Sequence, residues 1–239
     1  MGEDMDPGAG RTVVSFVRRG TRMTAVQRRW LQTYRQRWVV EVAREENSTI
    51  VAPQPELDLV SVFGGDKPLI VEIGCGHGDA LVAGASAHPE TCFLGFEVFQ
   101  ACLAACLGRI AAGGLENVRL IAADAVSGLT HLIPDQRLDE LWVFFPDPWP
   151  KTRHHKRRLI SDSFADLASR KLVMGGKLRL ATDADSYADA MTEILKRHPC
   201  FELISTERFK MRPVTKFEAR GLTAGRTIHD FTYLKRGQL

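Results

Sequence analysis

The chain contains no apolar run approaching the roughly 18 residues that a membrane-spanning helix requires, which argues against a helical membrane protein. Its first residues, Met1-Gly2-Glu3-Asp4-Met5-Asp6, lack the apolar core of a secretory signal and the Ser or Thr at position 6 of a myristoylation motif. Cysteine is sparse and odd in number, and Cys75, Cys92, Cys102, Cys106 and Cys200 include no CxxC pair. Neither a disulfide framework nor a zinc site is expected, and the reading is a reduced, cytoplasmic protein without a metal. Internal repeats and long low-complexity tracts are absent as well. Nor does one sign of charge dominate, since the formal net charge is only +3.

The distribution of charge says more than its total. Eight arginines and no acid lie between Pro7 and Val40, whereas Glu41 to Asp66 holds six acids against Arg44. The segment Lys151-Thr-Arg-His-His-Lys-Arg-Arg158 carries five cations and two histidines with no acid. Basic clusters in a nearly neutral chain point to a directed surface for a polyanion; for any one cluster alone, a solvated charge run is an equal reading.

A length of 239 residues, 44% hydrophobic and 26% charged, suits one α/β domain with an N-terminal extension. The extension is Arg-rich and covers residues 1–66, and the domain covers 67–239. Residues 1–10, rich in Gly, Pro and acids, are expected to be disordered. A helix is expected over 24–46, capped by Thr24, with Val26, Trp30, Leu31, Tyr34 and Trp38 at helical spacing. The stretch from Pro53 to Pro68 reads as a linker. Strands are then expected at 69–73, 92–98, 118–122, 138–145, 177–182, 201–206 and 228–234. Helices are expected at 79–88, 99–112, 161–174 and 185–198, the third stopped by Gly175-Gly176. Alternating strands and helices imply a doubly wound, mostly parallel sheet. The last two strands have no clear helix between them, so that edge carries an antiparallel element.

The first strand runs into Glu72-Ile-Gly74-Cys-Gly76-His-Gly78-Asp79. A dinucleotide fingerprint needs G-x-G-x-x-G, and its third glycine would fall on Asp79 or Leu81, so a dehydrogenase is disfavoured. The spacing E-x-G-x-G-x-G instead resembles motif I of the class I methyltransferases that use S-adenosylmethionine. A carboxylate near the loop suits a sulfonium cation better than a pyrophosphate. The second strand closes on Glu97, placed to accept from ribose hydroxyls, and the third on Asp124, placed to accept from an adenine amino group. Two acids at successive strand ends after a glycine loop imply adenosine at the carboxyl edge of the sheet.

Leu141-Trp-Val-Phe-Phe-Pro-Asp147-Pro-Trp149-Pro-Lys151 breaks a long apolar strand at prolines flanking one aspartate, which makes a rigid turn. The fourth strand should neighbour the first and so bring Asp147 beside the methyl donor, with Trp149 as a wall for a planar base.

These residues, with the following Ala181-Thr-Asp183 and Pro213-Val-Thr-Lys-Phe-Glu-Ala-Arg-Gly221, resemble the TrmB family of bacterial tRNA (guanine-N7)-methyltransferases from about Leu69 to Leu234. The resemblance implies a Rossmann-like class I fold with a seven-stranded sheet and an antiparallel C-terminal strand. It implies methyl transfer from S-adenosylmethionine to N7 of the variable-loop guanine at tRNA position 46. Glu72, Gly74, Gly76, Gly78, Glu97, Asp124 and Asp147 would bind the cofactor, and Asp147 would also be catalytic. Lys151, Arg153, His154, His155, Lys156, Arg157, Arg158, Asp183, Thr215, Lys216, Phe217 and Glu218 would contact the tRNA. Guanine N7 already carries an in-plane lone pair, so the chemistry calls for positioning and electrostatics rather than a strong general base. The contact to the guanine edge stays open among Asp147, Asp183 and Glu218.

Two other readings compete. One is a methyltransferase acting on a different RNA atom; amino-group enzymes usually carry Asp/Asn-Pro-Pro-aromatic, unlike the Pro-Asp-Pro-Trp found here. The other is a tRNA-binding scaffold or chaperone that holds S-adenosylmethionine without turnover. The association state, monomer or homodimer, is open.

Overall fold

A computed structural model describes residues 22–237, except the side chains of Lys216, Phe217 and Arg220. The expected disorder at 1–10, and three of the N-terminal arginines, Arg11, Arg18 and Arg19, lie outside the described residues. One mixed sheet organises the chain. Its strands are β1 Leu69–Ile73, β2 Cys92–Phe96, β3 Val118–Ile121, β4 Leu138–Phe144, β5 Leu172–Thr182, β6 Phe201–Ser205 and β7 His229–Lys235, in the order β3-β2-β1-β4-β5-β7-β6. Strands β1 to β5 pair in parallel, and β7 runs antiparallel to both β5 and β6. The antiparallel edge is therefore where the alternating pattern placed it.

Helices cover both faces. They are α1 Ala25–Trp38, α2 Leu59–Phe63, α3 Asp79–Ala87, α4 Gln100–Gly113, α5 Ala125–Leu132, α6 Asp162–Lys171, α7 Asp185–Arg197 and α8 Lys216–Thr223. Strand residues alternate between two cores. Leu69, Val71 and Ile73 join one with Phe164, Leu178 and Tyr187; Ile70 and Trp142 join the other with Leu81, Leu107 and Trp38. The second core is closed by α1 lying on α4, where Trp30 covers Gly108 so closely that a Cβ there would sit 2.7 Å from the indole.

Several boundaries depart from expectation, each for a local reason. Thr24 does cap α1, in a reciprocal capping box with Gln27. The helix ends at Trp38, though, not at residue 46. Val39 and Val40 go extended instead and add to the outer edge of β3, where the Val40 N–H donates to Leu120 O at 2.9 Å. β-Branched residues favour that state, and an open strand edge offers the partner. The stretch read as a linker contains α2, capped by Asp58, and inserts Leu59 into the main core. Helix α6 stops at Lys171 rather than at the glycine pair. Gly175 and Gly176 lie inside β5, where the register jumps from Leu138↔Leu172 to Glu140↔Lys177. Helices α5 and α8 and a 3-10 helix, Thr152–Arg157, were not anticipated from the pattern. Among the described residues, no helix is long and apolar enough to cross a membrane.

The register brings the site together. Ile73 pairs with Phe96 and Val143, and Phe96 with Ile121, so β1 to β4 finish side by side. The order turns from β3-β2-β1 to β4-β5 at this edge, the kind of switch point where open α/β sheets form a crevice.

Candidate active site

The loop after β1 reaches the crevice through three glycines with φ of +67° at Gly74, +56° at Gly76 and +78° at Gly78. Gly78 cannot be replaced by a residue with a Cβ without collision with Cys106 Sγ. The turn aims its amides at Glu97. The Gly76 N–H donates to Glu97 Oε2 and the Phe99 N–H to Oε1, both at 2.8 Å. Burial pushes the Glu97 carboxyl up from its ordinary pKa, and these backbone donors oppose the shift. Asp124 caps α5 by accepting from the Ser127 N–H at 2.9 Å, while its own N–H donates to Thr49 O at 2.7 Å. Glu97, Asp124 and Asp147 all line one crevice, together with Gly74, Phe99 and Phe145.

Glu72 lies in β1 and is not among the residues that line this crevice. It is buried, a backbone donor at Leu81 reaches its carboxyl, and its Oε2 has no hydrogen-bond partner among the described residues. Desolvation first, and then the nearby Asp79 and Glu97, raise its pKa to about 8. An orphaned acid oxygen in the strand that leads into the glycine loop, near Asp79 and Glu97, fits the cationic, adenosine-bearing cofactor that the sequence resemblance implies.

Asp147 sits in a turn under backbone constraint. Phe145 and Trp149 both adopt positive φ, +53° and +45°, in residues too bulky to favour it. Such conformations cost on the order of 1–3 kcal/mol each and persist only when the surroundings impose them. Part of that constraint is visible. The Phe145 N–H donates to Ala181 O at 2.8 Å, and the Arg212 guanidinium lies 5.0 Å from the Phe145 ring centroid. On the far side of the turn Arg157 lies over Trp149 at 5.0 Å and His154 meets the indole edge-on at 5.8 Å.

The basic cluster forms the 3-10 helix. Lys151, Arg153, Lys156 and Arg157 are exposed, and His154 and His155 are half-buried. Desolvation, with the charges of Arg153, Arg157 and Lys151, lowers the His154 pKa, so this ring resists adding a further charge. His155 Nε2 is buried and lacks a partner among the described residues. Arg158 requires a correction. It was expected on the tRNA surface with its neighbours, but its side chain turns inward and donates to Pro148 O and to Ser186.

The three acids left open for the guanine edge are now separable. Asp183 pairs with Arg226 at 2.9 Å. Glu218 is 1% exposed and lies between Arg212 at 2.6 Å and Arg208 at 3.1 Å, so its expected contact with the substrate edge meets a carboxylate enclosed by two guanidiniums. Thr215 accepts from the Glu218 N–H at 3.1 Å and so starts α8. The expected contacts of Lys216 and Phe217 rest on side chains outside the described residues. Of the three acids, Asp147 is the one that lines the crevice. Sequence reasoning missed Arg208, Arg212, Arg226 and Asp230 altogether. Arg212 is fully buried and also pairs with Asp230 at 2.7 Å. The one cue was the position of Arg212 immediately before Pro213.

Known proteins resemble the chain over most of its length. A family profile described as "Putative methyltransferase" matches residues 66–231. A tRNA (guanine-N(7)-)-methyltransferase of Cutibacterium acnes is 46% identical over 98% of this chain and 89% of its own. One from Nocardioides sp. is 44% identical over 95% and 89%, and one from Nitrosococcus oceani is 41% identical over 97% and 93%. Among solved structures, the 16S rRNA methyltransferase KamB superposes with a TM-score of 0.54 at 15% identity, covering 77% of this chain and 96% of that one, which is a likeness of fold.

Proposed function

The chain belongs to the tRNA (guanine-N(7)-)-methyltransferase family, and on that premise we propose that it methylates N7 of the variable-loop guanine at tRNA position 46. The observation that carries the reading is the meeting of Glu97, Asp124 and Asp147 in one crevice at the switch point of the sheet. S-adenosylmethionine supplies a methyl group on a sulfonium. Glu72 would balance its positive charge, Glu97 would accept from the ribose, and Asp124 from the adenine edge.

On the substrate side, Asp147 faces the base. Guanine N7 gains positive charge as it is alkylated, and a carboxylate held at the guanine edge stabilises that charge without reorganisation. The same carboxylate can accept from the N1 and N2 hydrogens of guanine, which adenine does not offer in that arrangement. The strained turn holds Asp147 in place before the base arrives, and apolar Phe144, Phe145 and Leu159 exclude water from the crevice. Lys151, Arg153, Lys156 and Arg157 supply phosphate contacts from the exposed 3-10 helix. We place the enzyme in the cytoplasm with tRNA, as a monomer or homodimer acting without a metal.

The test is incubation with methyl-labelled S-adenosylmethionine and unmodified tRNA, followed by chain cleavage specific for N7-methylguanine. A single labelled site in the variable loop is expected. Label on another atom would overturn the acceptor, and tight tRNA binding without label would favour a scaffold.

A further inference from the structure

Arg158 ends the most basic segment of the chain, and its sequence context is that of a phosphate contact. Its surroundings are not. The guanidinium is buried and its three nitrogens are all engaged. Nε donates to Pro148 O at 3.0 Å, Nη1 to Ser186 O at 3.0 Å and Nη2 to Ser186 Oγ at 3.1 Å. Its face lies 4.8 Å from the ring centroid of the buried Tyr187, whose hydroxyl accepts from the Ile160 N–H at 3.0 Å. The acceptors come from two separate places in the chain. Pro148 directly follows Asp147 in the turn beyond β4, and Ser186 lies in the first turn of α7, three residues after Asp183.

We propose that Arg158 is a positioning residue that locks the Asp147 turn onto the start of α7, rather than a contact for RNA phosphate. This rests on the functional reading above. The turn needs an external tie: its two left-handed residues, Phe145 and Trp149, flank Asp147, and its prolines supply no N–H to a ladder. A planar fork of five donors can join a carbonyl on one element to a carbonyl and a hydroxyl on another while stacking on a phenol; an ammonium cannot reproduce that geometry. Arg157, one residue earlier, is exposed above Trp149 and keeps its charge toward solvent. Adjacent arginines therefore divide two tasks that their sequence does not separate.

The test compares Arg158→Lys and Arg158→Ala with Arg157→Ala, measuring kcat, KM for tRNA and the salt dependence of tRNA binding, with circular dichroism and S-adenosylmethionine binding as checks of folding. Arg158→Lys keeps the charge and loses the fork, so kcat should fall roughly 10²-fold, the scale of an ångström-sized misplacement of a reacting group. KM for tRNA and the salt slope should stay at wild-type values. Arg157→Ala should do the opposite, weakening tRNA binding and flattening its salt dependence by about one phosphate contact. Should Arg158→Ala fail to fold, Arg158→Lys carries the comparison; should both fail, Ser186→Ala, which removes one acceptor, is expected to lower kcat without moving KM for tRNA. Wild-type kcat in Arg158→Lys or in that Ser186→Ala variant, or a flattened salt slope in either Arg158 variant, would overturn the proposal. A wild-type enzyme that leaves tRNA unlabelled would instead remove the functional reading, and this inference with it.

Discussion

The two halves of the sheet hold the acids around them by different means. On the β1–β3 side, Glu97 is held by the N–H groups of Gly76 and Phe99, and Asp124 by that of Ser127. On the β4–β7 side, Glu218 and Asp230 are held by Arg212, and Asp183 by Arg226. A backbone amide orients a carboxylate and leaves its negative charge in place for a ligand. A guanidinium orients it and cancels the charge. The first half therefore holds Glu97 and Asp124 on the crevice wall through neutral donors. The second uses most of its acids as struts between β7, α8 and the turn beyond β4, and presents Asp147 to the crevice.

The widest separation between the halves should appear in stability. Arg212→Ala leaves Asp230, at 5% side-chain exposure, without the cation it shares with Glu218, and leaves Glu218, at 1%, with Arg208 alone. Removing one partner of a buried ion pair costs about 3–5 kcal/mol, so a large fall in the denaturation midpoint is expected. Adding Glu218→Gln and Asp230→Asn should recover part of the loss, because the stranded charges go with them. Glu97→Gln keeps an acceptor oxygen for one of its two neutral backbone donors and should cost less. Equal losses at Arg212 and Glu97, measured by urea unfolding, would erase the distinction.

The same division explains what could be read in advance. The β1–β3 half was legible because its logic is local: glycines where φ must be positive, then acids at successive strand ends, at offsets fixed by the βαβ repeat. In the β4–β7 half the strands, the Asp147 turn and the antiparallel edge were legible, but the partners of its charged side chains were not. Arg157 and Arg158 look alike in sequence, and burial of the second depends on Ser186 and Tyr187 arriving from α7. Glu218 stands in a motif that resemblance assigns to substrate, yet its environment is set by Arg208 and Arg212, brought in from the loop after β6. Helix α8 was missed because Gly221 and Thr223 weaken its local signal, while Thr215 and tertiary packing supply what propensity does not. Helix α1 was drawn too long because the open edge of β3, which captures Val39 and Val40, is invisible from within that segment.

Catalysis should sharpen the contrast next. Asp147→Ala removes the acid that lines the crevice, and kcat is expected to fall about 10²–10³-fold, as for loss of one preorganised electrostatic group. The affinity for tRNA, measured by filter binding at fixed salt, should remain near wild type because the exposed 3-10 helix is untouched. Unchanged turnover would move the catalytic role to another acid of the substrate half.

The smallest effect concerns Glu72, and its sign follows from burial. In the protein without ligand its pKa is raised from 4.5 to about 8, so near pH 7 the carboxyl is mostly protonated. A bound cation favours the carboxylate, and binding must then release a proton. Affinity for S-adenosylmethionine should rise with pH by at most about tenfold per unit below pH 8 and level off above it, since one proton is linked to binding. The folded protein alone should do the reverse: the unfolded chain ionises this group from about pH 4.5, so Glu72 contributes stability below that value that is lost as pH rises toward 8. Calorimetric titration in buffers of different ionisation heat reads the released proton directly, and Glu72→Gln should abolish it. A pH-independent affinity with no buffer dependence would mean that Glu72 keeps one protonation state throughout, and that the charge balance for the cofactor lies with Glu97 and Asp124 instead.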